Sequence, residues 1–569
     1  MIGARRPFGV LFRHFLGAFV DNDVIAPAGD LHGPLSKAVA MLALVGLLYP
    51  FKLLGTYGRP FWDYAALDAV SWNDKSTFVL ISLVLTGLLT VIEWDALRLD
   101  RRDSLALGAL PIRAATILRA KLAALGTFLL ALSIPLTLLG GLTFPIIMHA
   151  GWRSGVRLAA ATMAGHVVAT LAAAWFAFFT LLAAQSLLQC LPGRRLAGRL
   201  AAVVQLAATL GLVVVLLVLP FIASKTAALK QASAGAGGLA PQMWFVGMYQ
   251  VTAGQGDADW ARLAARGWLA LLVSALAGAG ASLLAYRRAL GSTLENVETA
   301  AGGWSPVIRL TGLVSRVIAR DPAERGFFSF SVLTILRSPW HRLVMAACVG
   351  VALALAMVTL DAATLTRDGV GRVPMRVSHT LAMQWVVLAI VLAGVRVAAA
   401  VPAELRASWV LRMLETDQPR RWMAGFRSAV FVSLVAPAVA LMAVAMAWQY
   451  GWHTIWTLSL AACLFAGAAF EVLFLGFGRV PFACPAEQEM GDARIRGPLM
   501  VALFTILVVP AAELITLGLR TGAGTAVVLA SGLAAIALLR WRGQVAMASA
   551  GGLSFEPEYR GTQALDIQP

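Results

Sequence analysis

"STFVLISLVLTGLLTVIEWDALRLDRRDSLALGALPIRAATILRAKL", Ser76–Leu122, is the stretch that decides the fold. Its first part, 76–94, is an apolar run free of charge until Glu93, and about 20 such residues span a bilayer as a helix. The chain then turns abruptly polar. Asp100, Arg101, Arg102 and Asp103 follow, then Gly108 and Pro111, then Arg113, Arg119 and Lys121 at the head of the next apolar run. An apolar span, a charged connection and a second apolar span together describe a membrane hairpin.

The rest of the chain repeats this alternation. Of 569 residues, 59% are hydrophobic and only 13% charged, half the charge of an ordinary soluble protein. Continuous Leu, Ala and Val runs without period-two alternation predict helices rather than a β-barrel. Twelve spans are expected, at about 36–56, 76–94, 120–144, 158–188, 200–223, 265–286, 341–360, 380–401, 428–449, 454–478, 498–518 and 523–540. The expected fold class is therefore an all-α polytopic membrane protein.

The net charge of +17 is a topological signal. With both termini cytoplasmic, roughly 32 of the 46 Lys and Arg fall in inner segments and roughly 12 in outer ones. Basic residues confined to short connections argue against nucleic acid and for contact with membrane lipids. Cys190, Cys348, Cys463 and Cys484 form no CxxC pair, and His is scarce, so neither a metal site nor a disulfide framework is expected.

Organisation repeats even though sequence does not. A basic amphipathic segment, "RRPFGVLFRHFLGAFV", precedes the first span, and "RGFFSFSVLTILRSPWHRL" precedes the seventh. The long charged connection between spans 2 and 3 has a counterpart between spans 8 and 9, "PAELRASWVLRMLETDQPRRWMAGFR". Compact helix–helix loops take about 2–8 residues, so connections of this length are expected to contain helices of their own. Leu405, Trp409 and Met413 recur every fourth residue, one helical stripe, until Pro419 stops it. The division that follows is a first half over 1–290, a linker over 291–327, a second half over 328–540 and a tail over 541–569. Two halves of like orientation imply a parallel repeat about an axis along the membrane normal.

"EWDAL" with "LDRRDSLALGALPIRAATILRAKL", then "VPAELRASWVLRMLE", "PQMWFVGMY" and "GGLSFEPE", resemble bacterial permeases of the ABC-2 exporter type in their two-half form. The resemblance implies two six-helix halves in a bacterial cytoplasmic membrane, each opened by an amphipathic connecting helix. It also implies that the connection after the second span of each half is a coupling segment touching an ATP-hydrolysing subunit. Carried over, Asp100, Arg101, Arg102, Asp103, Leu110, Pro111 and Arg113 fall in the first coupling segment. Pro402, Glu404, Leu405, Arg406, Trp409, Arg412 and Glu415 fall in the second. No GxxxxGK[ST] occurs, so the resemblance places ATP and Mg on a separate partner subunit, in two copies, with no cofactor on this chain and no enzymatic activity of its own. ABC-2 halves carry short re-entrant helices outside, between their last two spans. The first half has room for one, with Trp244, Phe245 and Tyr249 in a helix expected over about 241–251. The second half has almost none, because Arg520 and Thr521 nearly join the last two spans.

Ionisable groups inside spans are costly and mark candidate functional positions. They are Glu471, Glu513, Arg396 and His166, with Glu93 and Lys52 nearer span ends. A second reading, an ion-coupled twelve-helix secondary transporter, would use Glu471 and Glu513. A membrane-embedded transferase is a third, and it lacks an acid–base cluster at either face.

Overall fold

The computed structural model describes residues 7–20, 57, 64–94, 112–149, 155–191, 194–293, 305–364, 377–403, 419–447, 450–483, 504 and 506–549. Among them the regular structure is helical, with no strand. Nine of the described helices are long and apolar enough to cross a membrane, and Ile506–Gly518 is a shorter apolar helix. The expected first span, 36–56, lies outside the described residues. The chain divides into two compact units, Met1–Gly303 and Trp304–Pro569.

The first unit contains α1 (Pro7–Val20), α2 (Tyr64–Ile92), α3 (Ala114–His149), α4 (Gly155–Gln189) and α5 (Arg194–Leu217). Two short helices follow, α6 (Leu219–Ser224) and α7 (Thr226–Gln231), then α8 (Pro241–Thr252) and α9 (Ala258–Thr293). At about 1.5 Å per residue, α4 and α9 each exceed 50 Å, well over the roughly 30 Å hydrocarbon layer, so they tilt or protrude. Packing centres on α4. It meets α2 through Val79, Ala169, Ala172 and Ala173, with Ser82 Oγ donating to the Thr170 carbonyl at 2.8 Å. It meets α9 where a Cβ on Gly278 would lie 3.1 Å from the Phe179 carbonyl oxygen, so only a small residue permits the approach. Ser186 and Ser282 hydroxyls join the same pair at 2.9 Å.

The second unit contains α10 (Ser305–Ile318), α11 (Pro322–Arg337), α12 (Pro339–Thr364), α13 (Val377–Ala399) and α14 (Pro419–Val430). A π-helical turn, Phe431–Val435, leads from α14 into α15 (Ala436–Met446). Pro437 explains it, since proline donates no N–H and its ring would crowd the carbonyl one turn back; the widened turn accommodates both. α16 (Trp452–Leu473), α17 (Ile506–Gly518) and α18 (Gly522–Ser549) complete the unit. The linker expected through residue 327 is thus helical from 305, because "SPVIRLTGLVSRVI" has an amphipathic period that its Gly and Ser content obscured.

The two units share one pairing scheme. In the first, α1 packs on α3, α2 on α4, and α4 on α9. In the second, α11 packs on α14, α13 on α16, and α16 on α18. Glycine recurs where α16 meets α18: Cβ atoms on Gly467 and Gly532 would lie 2.7 Å from Ile536 Cδ1 and 3.0 Å from Leu464 Cδ1.

Candidate functional sites

The first candidate is a charged cluster at the start of α2. Asp68 and Lys75 are seven residues apart, almost two full turns, so they share a helix face. Lys75 is fully buried, and its Nζ lies 2.8 Å from Asp68 Oδ1, 2.7 Å from Gln250 Oε1 and 2.9 Å from Gln255 Oε1. Three acceptors match the three ammonium hydrogens. Asp68 Oδ2 accepts from Trp72 Nε1 at 3.1 Å and from Gln250 Nε2 at 3.1 Å, so the carboxylate is held as tightly as the cation. A buried charge pair with its hydrogen-bonding capacity this fully used is a structural clamp.

What it clamps is α8. Gln242, Met243, Phe245, Val246, Met248, Tyr249 and Gln250 are all buried, against α2, α4 and α9. Close seating depends on glycines from three helices. A Cβ at Gly165 would lie 2.7 Å from the Tyr249 carbonyl oxygen, one at Gly247 2.8 Å from Leu263 Cβ, and one at Gly267 2.8 Å from Met248 Sδ. Pro241 opens the helix in a first-turn position that needs no N–H, and Trp244 Nε1 donates to the Gly238 carbonyl at 2.8 Å. Phe245 and Tyr249 are buried and Trp244 is half-buried, so these three aromatics are packing residues of a seated helix.

A second latch lies beside the first. Asp257 caps α9 by accepting from Trp260 N at 2.9 Å, and it also accepts from Lys230 Nζ at 2.6 Å. Burial alone would raise the Asp257 carboxyl; the Lys230 hydrogen bond and the cap outweigh it and hold the group below the usual carboxylate value. Lys230 also sits over the rings of Trp72 (4.3 Å) and Trp260 (5.0 Å), joining α7 to α2 and α9.

His166 is fully buried on α4, framed by Phe78, Phe144 and Tyr249, and neither ring nitrogen has a hydrogen-bond partner. Gly140 and Gly141 of α3 make room for its ring, since Cβ atoms there would approach it to 3.3 and 3.1 Å.

The second candidate is in the other unit. Glu471, near the end of α16, lies 2.9 Å from Arg427 Nε of α14 and 3.2 Å from Arg540 Nε of α18; Arg427 Nη2 donates to Glu471 Oε2 at 3.2 Å. One carboxylate therefore ties three helices at one end of the bundle, beside a cleft of about 80 Å³ that Arg420 also lines. Arg396 donates from Nε to the Leu473 carbonyl at 3.1 Å and lies 4.4 Å above the Phe477 ring, which caps the end of α16. Glu513 is exposed on α17, away from this cluster's ion pairs.

The helices that brace the starts of α3 and α14 form the third feature. Leu11 and Phe15 of α1 pack into Ile117, Ala120 and Ala124 of α3, with Lys121 Nζ 5.6 Å over the Phe15 ring. Phe327 of α11 stacks on Trp422 of α14 at 5.5 Å and 15°, and Arg421 pairs with Asp321, the residue that caps α11. Of the expected coupling residues, Arg113 is exposed at the foot of α3, next to α1's seat. Pro402 is half-buried where Ala403 N donates to the Phe482 carbonyl at 2.8 Å. Asp100, Arg101, Arg102, Asp103, Leu110, Pro111, Glu404, Leu405, Arg406, Trp409, Arg412 and Glu415 lie outside the described residues.

These features define the class: a polytopic α-helical membrane protein in which two units use the same helix pairing. Compared with known proteins, the chain matches no family model, and neither the curated proteins nor the solved structures contain a match to it.

Sequence reasoning missed the Asp68–Lys75 clamp, because the second span was expected to begin at 76 and both residues were left in the preceding connection. The available signal was the spacing of seven, followed by Gln250 at the end of "PQMWFVGMYQ".

Proposed function

We propose that the chain is the transmembrane permease of an ATP-driven exporter of the ABC-2 type. It carries both six-span halves, twelve spans in all, with both termini on the cytoplasmic side of a bacterial inner membrane. Two copies of a separate subunit bind ATP and Mg and dock on the connections at Asp100–Arg113 and Pro402–Glu415. The observation that carries this reading is the seating of α1 on α3 and of α11 on α14. In the first unit the amphipathic α1, and in the second the aromatic-rich α11, braces the start of the helix that follows the charged connection. A push on that connection then moves a braced pair of helices as one body, which is the mechanical requirement of coupling a soluble motor to spans.

The ion-coupled alternative is less well supported, because Glu471 is engaged by two guanidiniums and is not a free intramembrane carboxylate. The test is affinity purification of the chain from its native membrane, read for a P-loop ATPase and for ATP hydrolysis in the eluate. Charge reversal at Arg101/Arg102 or at Arg406/Arg412 is expected to remove both while leaving the purified chain folded. Retained hydrolysis in both variants would refute these docking segments.

A further inference from the structure

The Glu471 cluster carries more positive charge than its carboxylate can neutralise. Among the described residues Arg420, Arg427 and Arg540 converge on one cleft with Glu471 as its acid, an excess of two positive charges there. The carboxylate is already shared between Arg427 and Arg540. Arg427 is the inner member, its Nε buried without an aligned acceptor, whereas Arg420 and Arg540 lie at the exposed rim. The cleft of about 80 Å³ between them exceeds what a single water needs.

Its floor is apolar, formed by Phe470, Phe474 and Met423, and its edge turns at Gly476, whose φ of 80° suits glycine. α18 supplies the remaining wall. On that helix Leu533, Leu538 and Trp541 are exposed at different angles, so a helix apolar on all sides runs up to an exposed Trp between Arg540 and Arg542. This is the pattern of a helix at the headgroup level of a bilayer. Guanidiniums suit phosphate oxygens because the forked donors match them.

We propose that this cleft binds the phosphate of an anionic lipid headgroup from the leaflet on the side where α16 and α18 end. The phosphate sits between Arg420, Arg427 and Arg540, and an acyl chain lies along the face of α18 that Leu533 shares with Arg540, two turns further on. Glu471 keeps two of the arginines aimed at it. The proposal does not depend on the exporter reading.

The test uses the full chain purified in dodecyl maltoside. Native mass spectrometry reads retained dioleoyl phosphatidylglycerol against dioleoyl phosphatidylcholine, and thermal stability is followed in parallel. Wild type is expected to retain the anionic lipid selectively and to gain stability from it. Arg420→Gln, at the rim and outside the Glu471 pairs, should weaken retention about tenfold, the usual worth of one charge-assisted contact. Arg540→Gln should do the same, and Arg540→Lys should recover part of it. Arg520→Gln, at the other end of α18, should change nothing. Equal retention of the two lipids, or unchanged retention in Arg420→Gln and Arg540→Gln, would overturn the site. Displacement of the lipid by inorganic phosphate at matched ionic strength would overturn the lipid assignment in favour of a soluble anion.

Discussion

Lys75 and Gln250, 175 residues apart in the chain, meet at 2.7 Å inside the first unit, and neither helix they belong to could hold them alone. Lys75 projects from a transmembrane helix and Gln250 from a short buried one. Removing one partner of a fully buried pair costs about 3–5 kcal/mol, and Asp68, 15% exposed, puts this pair toward the lower end. Lys75→Met is therefore expected to lower thermal stability sharply and expose α8 to proteolysis, while Asp68→Asn with Lys75→Met together should recover much of the loss. A double variant as unstable as the single one would contradict the pair as the source.

The seating of α8 should be equally sensitive to size. Gly165, Gly247 and Gly267 lie where a Cβ would meet backbone or packed side chains of the facing helix. Gly247→Val is expected to cost about 1–3 kcal/mol, the usual cost of overpacking. A valine at Gly280, where nothing lies within 4 Å, should leave the melting temperature nearly unchanged. Equal effects at the two positions would mean that α8 is not closely seated.

Phe327 and Trp422 test the brace. Trp422→Ala removes a stacked ring and a buried indole, with an expected loss of about 3–5 kcal/mol if the site cannot collapse. Trp422→Phe keeps the stack and should retain most of the stability. Under the exporter reading, Trp422→Ala should also lower substrate-stimulated ATP hydrolysis more than basal hydrolysis, because the brace transmits movement and does not touch nucleotide. A variant that loses both equally would argue that the motor itself had detached.

Glu471→Gln separates the two transport readings. It leaves Arg427 and Arg540 without their shared carboxylate and should destabilise the purified chain. ATP hydrolysis in the purified complex should survive at reduced thermal stability. Transport that is driven by an ion gradient and abolished by this variant would instead favour the secondary transporter.

Much of the fold was legible because hydrophobic runs are a one-dimensional signal. The apolar stretch from Ser76 and the charged residues after it needed no tertiary information. The amphipathic helix α1 was readable for the same reason, as was a helix beginning at Pro241, whereas α11 is a helix without the amphipathic segregation expected of it. Their partners were not. That Phe15 would meet Ile117, or Phe327 meet Trp422, depends on how helices cross, and crossing is decided by packing that no local pattern encodes. The sites were harder still. Glu471 was visible as a costly carboxylate, but its arginines come from residues 44 positions before and 69 positions after. Lys75 was hidden by a span boundary placed one residue too late to include it.

The central claim is that this chain converts work done by a separate ATPase, and the direct measurement is ATP hydrolysis on the purified assembly. The account predicts that the chain, affinity-purified from its native membrane, carries a P-loop ATPase whose hydrolysis co-elutes with it. It also predicts that both disappear when Arg101 and Arg102 are reversed to Glu, with the melting temperature of the chain unchanged. A well-folded chain that purifies without any such subunit, and moves its substrate on an ion gradient alone, would contradict it.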